Sequence, residues 1–351
     1  MRAVTVAPGN RGSLELSEIA DPGAESGSVV MESLAVGICG TDAEIADGQY
    51  GWAPPGNDRL VLGHESLGRV IHGGARGPAV GDHVVGIVRM PDPEPCPNCA
   101  VGEWDMCSNG RYTERGIKER DGFMADRWRS DPDYLVKVDP ELGVLGVLGV
   151  LLEPASVVAK AWEHLVAIGH RTFWDPQLVL VVGAGPIGLL AALLGRQRGF
   201  EVHVLDRVTA GSKPELVEAL GAQYHTGAVT DLGLSPDIVV ECTGVPALIR
   251  QSAEVVAAGG LVCLTGVGSL TGGSAGGIEG GLAASAVLRN LAVFGSVNAN
   301  RRHYYLAARA LARADRGWLE GLVTRRVAPR DIDQALERDQ NDIKVIVDFM
   351  S

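Results

Sequence analysis

The chain has 351 residues, 46% of them hydrophobic, and a formal charge of −12. That length exceeds one ordinary domain and predicts two, with apolar residues enough for a core in each. The acidic balance excludes nucleic acid and anionic membrane as partners, because both require a basic footprint.

The first elements are short and β-like. "MRAVTVAPGN" begins directly in strand-like alternation, without a charged-then-apolar leader. "SVVMESLAVGI" (28–38), "SLGRVIHGG" (66–74), "GDHVVGIV" (81–88) and "YLVKVD" (134–139) read as strands punctuated by glycine, proline and aspartate. "LGVLGVLGVLL" (142–152) falls short of the about 18 apolar residues of a membrane helix and stops at Glu153. A cytoplasmic location follows as the expectation. In that compartment, clustered cysteines are read as metal ligands before disulfides. Cys96, Cys99 and Cys107 in "CPNCAVGEWDMC" form such a cluster, with three thiolates and a fourth ligand still to be found.

From about residue 153 the pattern changes. "PASVVAKAWEHLVAI" (154–168) has a helical period, and strand then alternates with helix. "LVLVVGAG" (178–185), "EVHVLD" (201–206), "PDIVVECTG" (236–244), "GGLVCLTGVG" (259–268) and "NLAVFGSV" (290–297) read as buried parallel strands. "PIGLLAALLGRQRG" (186–199) and "KPELVEALGA" (213–222) read as helices between them. Such βα alternation predicts a doubly wound parallel sheet. Residues 269–288 begin as a glycine-rich loop and end as a short helix, and the tail mixes a helix around "YYLAARALARA" with the strand "IKVIVDF".

Gly183-x-Gly185-x-x-Gly188 follows an apolar strand and opens an apolar helix, which is the context a dinucleotide fingerprint needs. Gly183 permits the turn, Gly185 admits a pyrophosphate to the backbone, and Gly188 lets helix and strand pack closely. Asp206, at the end of the next strand, suits the adenosine ribose hydroxyls and repels a 2′-phosphate, favouring NAD; Arg207 and Lys213 leave NADP open. Cys39 in "GICGTDAEI" and His64 with Glu65 in "LGHESLG" are the ligand types of zinc: thiolate, imidazole and carboxylate. Cys242 and Cys263 read as packed strand residues, and His72, His83, His164, His170, His203 and His225 as surface or satisfied core. For His303 a surface reading is at least as good as a site reading.

On these motifs the chain resembles the zinc-dependent medium-chain alcohol dehydrogenase superfamily, over essentially its whole length. "GRYTERGIKERDGFMADRW" (110–128), "LLEPASVVAKAWEH" (151–164) and "FGSVNANRRHY" (294–304) are similar to the glucose dehydrogenase branch. The resemblance implies an α/β fold: a GroES-like β-rich catalytic domain from 1–153 and 297–351, and a Rossmann doubly wound domain from 154–296. It implies a catalytic zinc held by Cys39, His64 and Glu153, with Glu65 able to approach the metal. Thr41 would relay the substrate proton, Asp42 would orient the histidine, and Glu44 stands where many relatives place a relay histidine. The implied cofactor set is Gly183, Gly185, Pro186, Ile187, Gly188, Asp206, Arg207, Thr243 and Asn298. Glu114, Arg89 and again Asn298 fall at substrate-lining positions. The implied reaction moves hydride from the anomeric hydroxyl of an aldose to NAD(P), giving the lactone. A polyol, cyclitol or biosynthetic-intermediate substrate is the competing reading, and a catalytically silent NAD-binding protein a remote one. Relatives are homo-oligomers, dimers or tetramers. In their structural-zinc lobe the pattern is C-x2-C-x2-C-x7-C, and its first position falls on Pro93, which cannot bind metal; the resemblance implies either an oxygen ligand from Asp92 or Glu94 beside Cys96, Cys99 and Cys107, or a lobe that has lost its metal and holds by packing.

Overall fold

The computed structural model describes residues 1–351 except 26, 74–75, 139–145, 269–279 and 338. The expected glycine-rich loop at 269–279 lies outside the described residues. The chain forms two compact units, Met1–Ser156 with Asn298–Ser351, and Val157–Val297.

The first unit is built on a largely antiparallel sheet. Its strands run in the order Leu135–Lys137, His83–Gly86, Glu65–His72, Val29–Gly37, Lys344–Asp348 and Val323–Val327, with Arg127–Ser130 also paired to Val29–Gly37. Val29–Gly37 is buried on both faces along nearly its whole length, which explains its near-continuous apolar run. Against it pack Val4, Leu60, Leu62, Phe123, Met124, Trp128, Val345 and Val347. A smaller sheet pairs Arg89–Met90 with Thr113–Arg115 and Glu119–Arg120. The helix Arg301–Ala312 opens on Asn300, whose backbone N–H donates to His303 Nδ1 at 3.1 Å. His303 is fully buried on the inner face of this helix and not at the surface.

The second unit is a six-stranded sheet, parallel throughout. Its spatial order is Gln223–His225, Glu201–Leu205, Leu178–Val182, Ile238–Glu241, Leu261–Leu264 and Ala292–Gly295. Numbered along the chain this is 3-2-1-4-5-6, the doubly wound arrangement in which strand order reverses between Leu178–Val182 and Ile238–Glu241. Ligands bind beyond the carboxyl ends of the strands at that switch point. Two glycine-containing turns emerge there, 183–188 and 242–244.

No helix among the described residues is long and apolar enough to cross a membrane.

Candidate active site

Cys39 and the adjacent pair His64 and Glu65 come from two segments of the first unit, and one ligand atom of each lies within 4.8 Å of the others. The local sequence arranges this. Cys39 caps the helix Gly40–Ala46, and Asp42 closes the capping box by accepting the Cys39 N–H at 2.8 Å through Oδ2. The other Asp42 oxygen lies 3.4 Å from His64 Nδ1, leaving Nε2 as the ring nitrogen open to a metal. Burial works against a charged imidazole here, yet Asp42, with Cys39 assisting, holds His64 well above its ordinary pKa. Thr41 Oγ1 is 4.0 Å from Cys39 Sγ, and Glu44 lies on the same short helix.

Glu153 sits in the first turn of the helix Leu152–Gly169, outside the 4.8 Å group but buried beside it. Burial, opposed by His64 and reinforced by Glu65, pushes its carboxyl up to about 7. A thiol, an imidazole and two carboxyls in one buried spot suit zinc, and a carboxylate already holds the imidazole from behind.

Sequence reasoning missed Lys344. Its Nζ donates to both oxygens of Glu65, at 2.7 and 2.6 Å, and to the Ile38 carbonyl at 3.1 Å. Burial lowers the lysine's pKa but Glu65 more than offsets this, so the amine stays charged. A lone lysine within the apolar "IKVIVDF" was the available signal. Gly37 makes room for the pair, since a Cβ there would overlap Glu65 Oε2.

Glu114, Arg89 and Asn298 meet in the same unit. Arg89 pairs with Glu114 at 2.9 Å, and Asn298 Nδ2 donates to Glu114 at 2.7 Å. All three side chains are buried.

The three-cysteine lobe forms as a unit of its own. Cys96, Cys99 and Cys107 bring their sulfurs within 4.8 Å of one another. Cys96 Sγ accepts the N–H of Cys99 and of Ser108, each at 3.4 Å, which pulls its thiol down to about 6. Burial instead pushes Cys99 up to about 11. The carboxylate of Asp92 lies outside the sulfur group. It accepts the Glu94 N–H at 2.9 Å and pairs with Arg111 at 3.3 Å, while Glu94 pairs with Arg111 at 2.9 Å.

In the second unit Gly183 takes φ 103°, a conformation that favours glycine. A Cβ at Gly188 would overlap the Gly183 carbonyl, whereas a Cβ at Gly185 would meet nothing, so open space lies over that turn. Gly185 precedes the helix Pro186–Gln197, whose first residues are Pro186 and Ile187, and the free amides of this end suit a pyrophosphate. Thr243 lies against Gly183 from the neighbouring strand end. Its turn is shaped by buried Glu241, which accepts the N–H of Thr243 at 2.8 Å and of Gly244 at 3.0 Å. Asp206 Oδ2 accepts the Ala184 N–H at 2.7 Å, and Lys213 Nζ is 3.5 Å from Oδ1, with Arg207 exposed beside it.

Residues 146–349 match the family described as glucose dehydrogenase C-terminus, and residues 25–140 the alcohol dehydrogenase GroES-like domain. The chain is 40% identical to glucose 1-dehydrogenase of Thermoproteus tenax and 36% identical to that of Methanocella arvoryzae, each over 99% of both chains. Among solved structures it is similar to Haloferax mediterranei glucose dehydrogenase in complex with NADP, Zn and gluconolactone, with a TM-score of 0.90, 31% identity and full coverage of both chains.

Proposed function

Because the chain belongs to the zinc-dependent medium-chain alcohol dehydrogenases, in their glucose dehydrogenase branch, we propose that it oxidises the anomeric hydroxyl of glucose or a closely related aldose to the lactone, with NAD(P) as acceptor. The observation that carries this is the buried meeting of Cys39, His64 and Glu65 in a chain that also carries the Glu114–Asn298 pair.

Cys39, His64 and Glu153 would hold the zinc, with Glu65 as the further carboxylate; when bound, zinc acidifies the substrate hydroxyl. The glycine turn and the end of the helix Pro186–Gln197 would hold the dinucleotide, whose nicotinamide takes up the hydride. Thr41 accepts the hydrogen bond of the anomeric hydroxyl and passes its proton toward Glu44. Asp42 keeps the His64 ring in one tautomer and orientation. Glu114 and Asn298 orient the other sugar hydroxyls, so an alcohol lacking them leaves buried polar groups unpaired. Asp206, at the end of the strand Glu201–Leu205, supports NAD as the preferred cofactor, with Arg207 and Lys213 tolerating NADP. The protein works in the cytoplasm as a homo-oligomer. Supporting self-association, Ala292–Gly295 is an edge strand of its sheet, with Leu288 and Val293 exposed near it.

Steady-state rates of the zinc-loaded protein with glucose, galactose, xylose, sorbitol and inositol, each with NAD and with NADP, test the proposal. Aldose turnover with a preference for NAD is expected, and no aldose turnover with either cofactor would sink it.

A further inference from the structure

Arg89 and Glu114 stand directly opposite one another on paired antiparallel strands. Arg89 Nε donates at 3.0 Å to the carboxylate oxygen Oε1, and Nη2 stands 2.9 Å from the same oxygen as an ion pair. Asn298 Nδ2 adds a second donor to that oxygen at 2.7 Å. Oε2 accepts no hydrogen bond among the described residues, and it is not one of the buried atoms left without a partner. The carboxylate is therefore used on one side only.

Its holders are themselves fixed. Arg89 Nη1 donates to the Asp105 carbonyl at 2.9 Å, and the guanidinium lies 3.8 Å over the ring of Tyr112. Asn298 takes the left-handed φ of 62°, and its own side-chain oxygen accepts the Ala299 N–H at 2.8 Å.

Resting on the reading that Glu114 contacts the sugar, we propose that Arg89 is a positioning residue for sugar recognition. With Asn298 it saturates Oε1 and presents Oε2 as the acceptor for sugar hydroxyls, without touching the sugar itself. Nε and Nη1 already have acceptors and Nη2 faces the carboxylate, so the stacked plane cannot turn without losing these contacts. A buried carboxylate needs a counter-charge, and the planar fork supplies one while bringing two nitrogens against a single oxygen. Lysine can supply the charge but not the fork. The oxygen left open is then fixed in direction and free to accept from a hydroxyl, which makes it selective for polyhydroxylated substrates over simple alcohols.

Four variants of the zinc-loaded enzyme test this: Arg89→Met, Arg89→Lys, Glu114→Gln and the double variant Arg89→Met with Glu114→Gln. Arg89→Met should raise the KM for glucose on the order of 10- to 100-fold, with kcat and the KM for NAD nearly unchanged. Arg89→Lys should recover part of that loss. Calorimetric titration of glucose into the NADH complex should show the same order of weakening without turnover. The double variant should bind glucose no worse than Glu114→Gln alone, because arginine acts only through the carboxylate.

Independent, additive losses would overturn the proposal, since they would mean that Arg89 touches the sugar. A parallel fall in kcat and in NAD affinity would also overturn it, as general damage. If Glu114→Gln weakens glucose binding and Arg89→Met does not, positioning fails while the sugar-contact reading stands. If Glu114→Gln has no effect, the contact reading fails and takes the positioning role with it. Should Arg89→Met not fold, an undiminished glucose affinity in Arg89→Lys would overturn the proposal by itself.

Discussion

At Lys344 a single side chain sets the charge state of its surroundings. The amine is about 1% exposed and meets both Glu65 oxygens, so neither partner reaches solvent. Removing one member of such a pair strands the other, at a cost of about 3–5 kcal/mol. Lys344→Met is therefore expected to lower the denaturant midpoint by an amount equivalent to that loss, and adding Glu65→Gln should recover part of it. Urea titrations of the two variants check this, and an unshifted midpoint for Lys344→Met would contradict it. Cys39, His64 and Glu65 were legible in the sequence because their types and neighbours name a chemistry. Lys344 was not, because it lies 279 positions from its partner and only the sheet brings the two together. Asp42 was legible only through the family resemblance; that it closes a capping box on Cys39, three positions before it, is seen in the structure.

Paired strands carry the next prediction. His203 Nδ1 and His225 Nε2 share a hydrogen bond at 2.8 Å between Glu201–Leu205 and Gln223–His225, with Glu201 on the other side of His203 at 3.0 Å. Burial, and then the charge of His203, lowers the pKa of His225 from its ordinary 6.5. Below pH 6.5 the unfolded chain thus takes up the His225 proton before the folded one does. Stability contributed here is complete above that value and is lost as pH falls toward and through the lowered folded pKa. Thermal unfolding between pH 7.5 and 5 should show a decline that His225→Gln reduces; an equal decline in both proteins would refute the assignment. At this scale the sequence read strand and helix type well in the second unit but ran the strand at 236–244 too far. It ends at Glu241, whose buried carboxylate bends the next residues by accepting two of their N–H groups. The short strand Gln223–His225 and the helix Pro246–Val255 went unread, the first for its length and the second because no apolar run announces it.

Across the molecule, the metal inventory follows from two separate thiolate sites. The lobe at Cys96, Cys99 and Cys107 has three converged sulfurs, with backbone N–H groups already on one of them, an arrangement suited to metal-bound thiolates. About two zinc ions per chain are expected on that ligand chemistry: one lost in Cys39→Ala together with turnover, the other lost in Cys96→Ser with a lowered Tm. Metal analysis and thermal unfolding decide the matter; one ion per chain with Cys96→Ser fully stable would mean a lobe held by packing alone. The sequence named these three cysteines from spacing, but it could not see that Arg111 occupies the carboxylates considered as a fourth ligand.

The first unit is interrupted in sequence by the whole of the second, and this orders events during synthesis. Val29–Gly37 and Glu65–His72 leave the ribosome long before Lys344–Asp348, the strand that pairs with Val29–Gly37. The inserted unit has its complete sheet by then and can fold as a body. Until Lys344 is made, Glu65 lacks this counter-ion and Val29–Gly37 lacks the strand that pairs with it. One late-made strand thereby supplies both the missing neighbour of Val29–Gly37 and the charge that Glu65 faces.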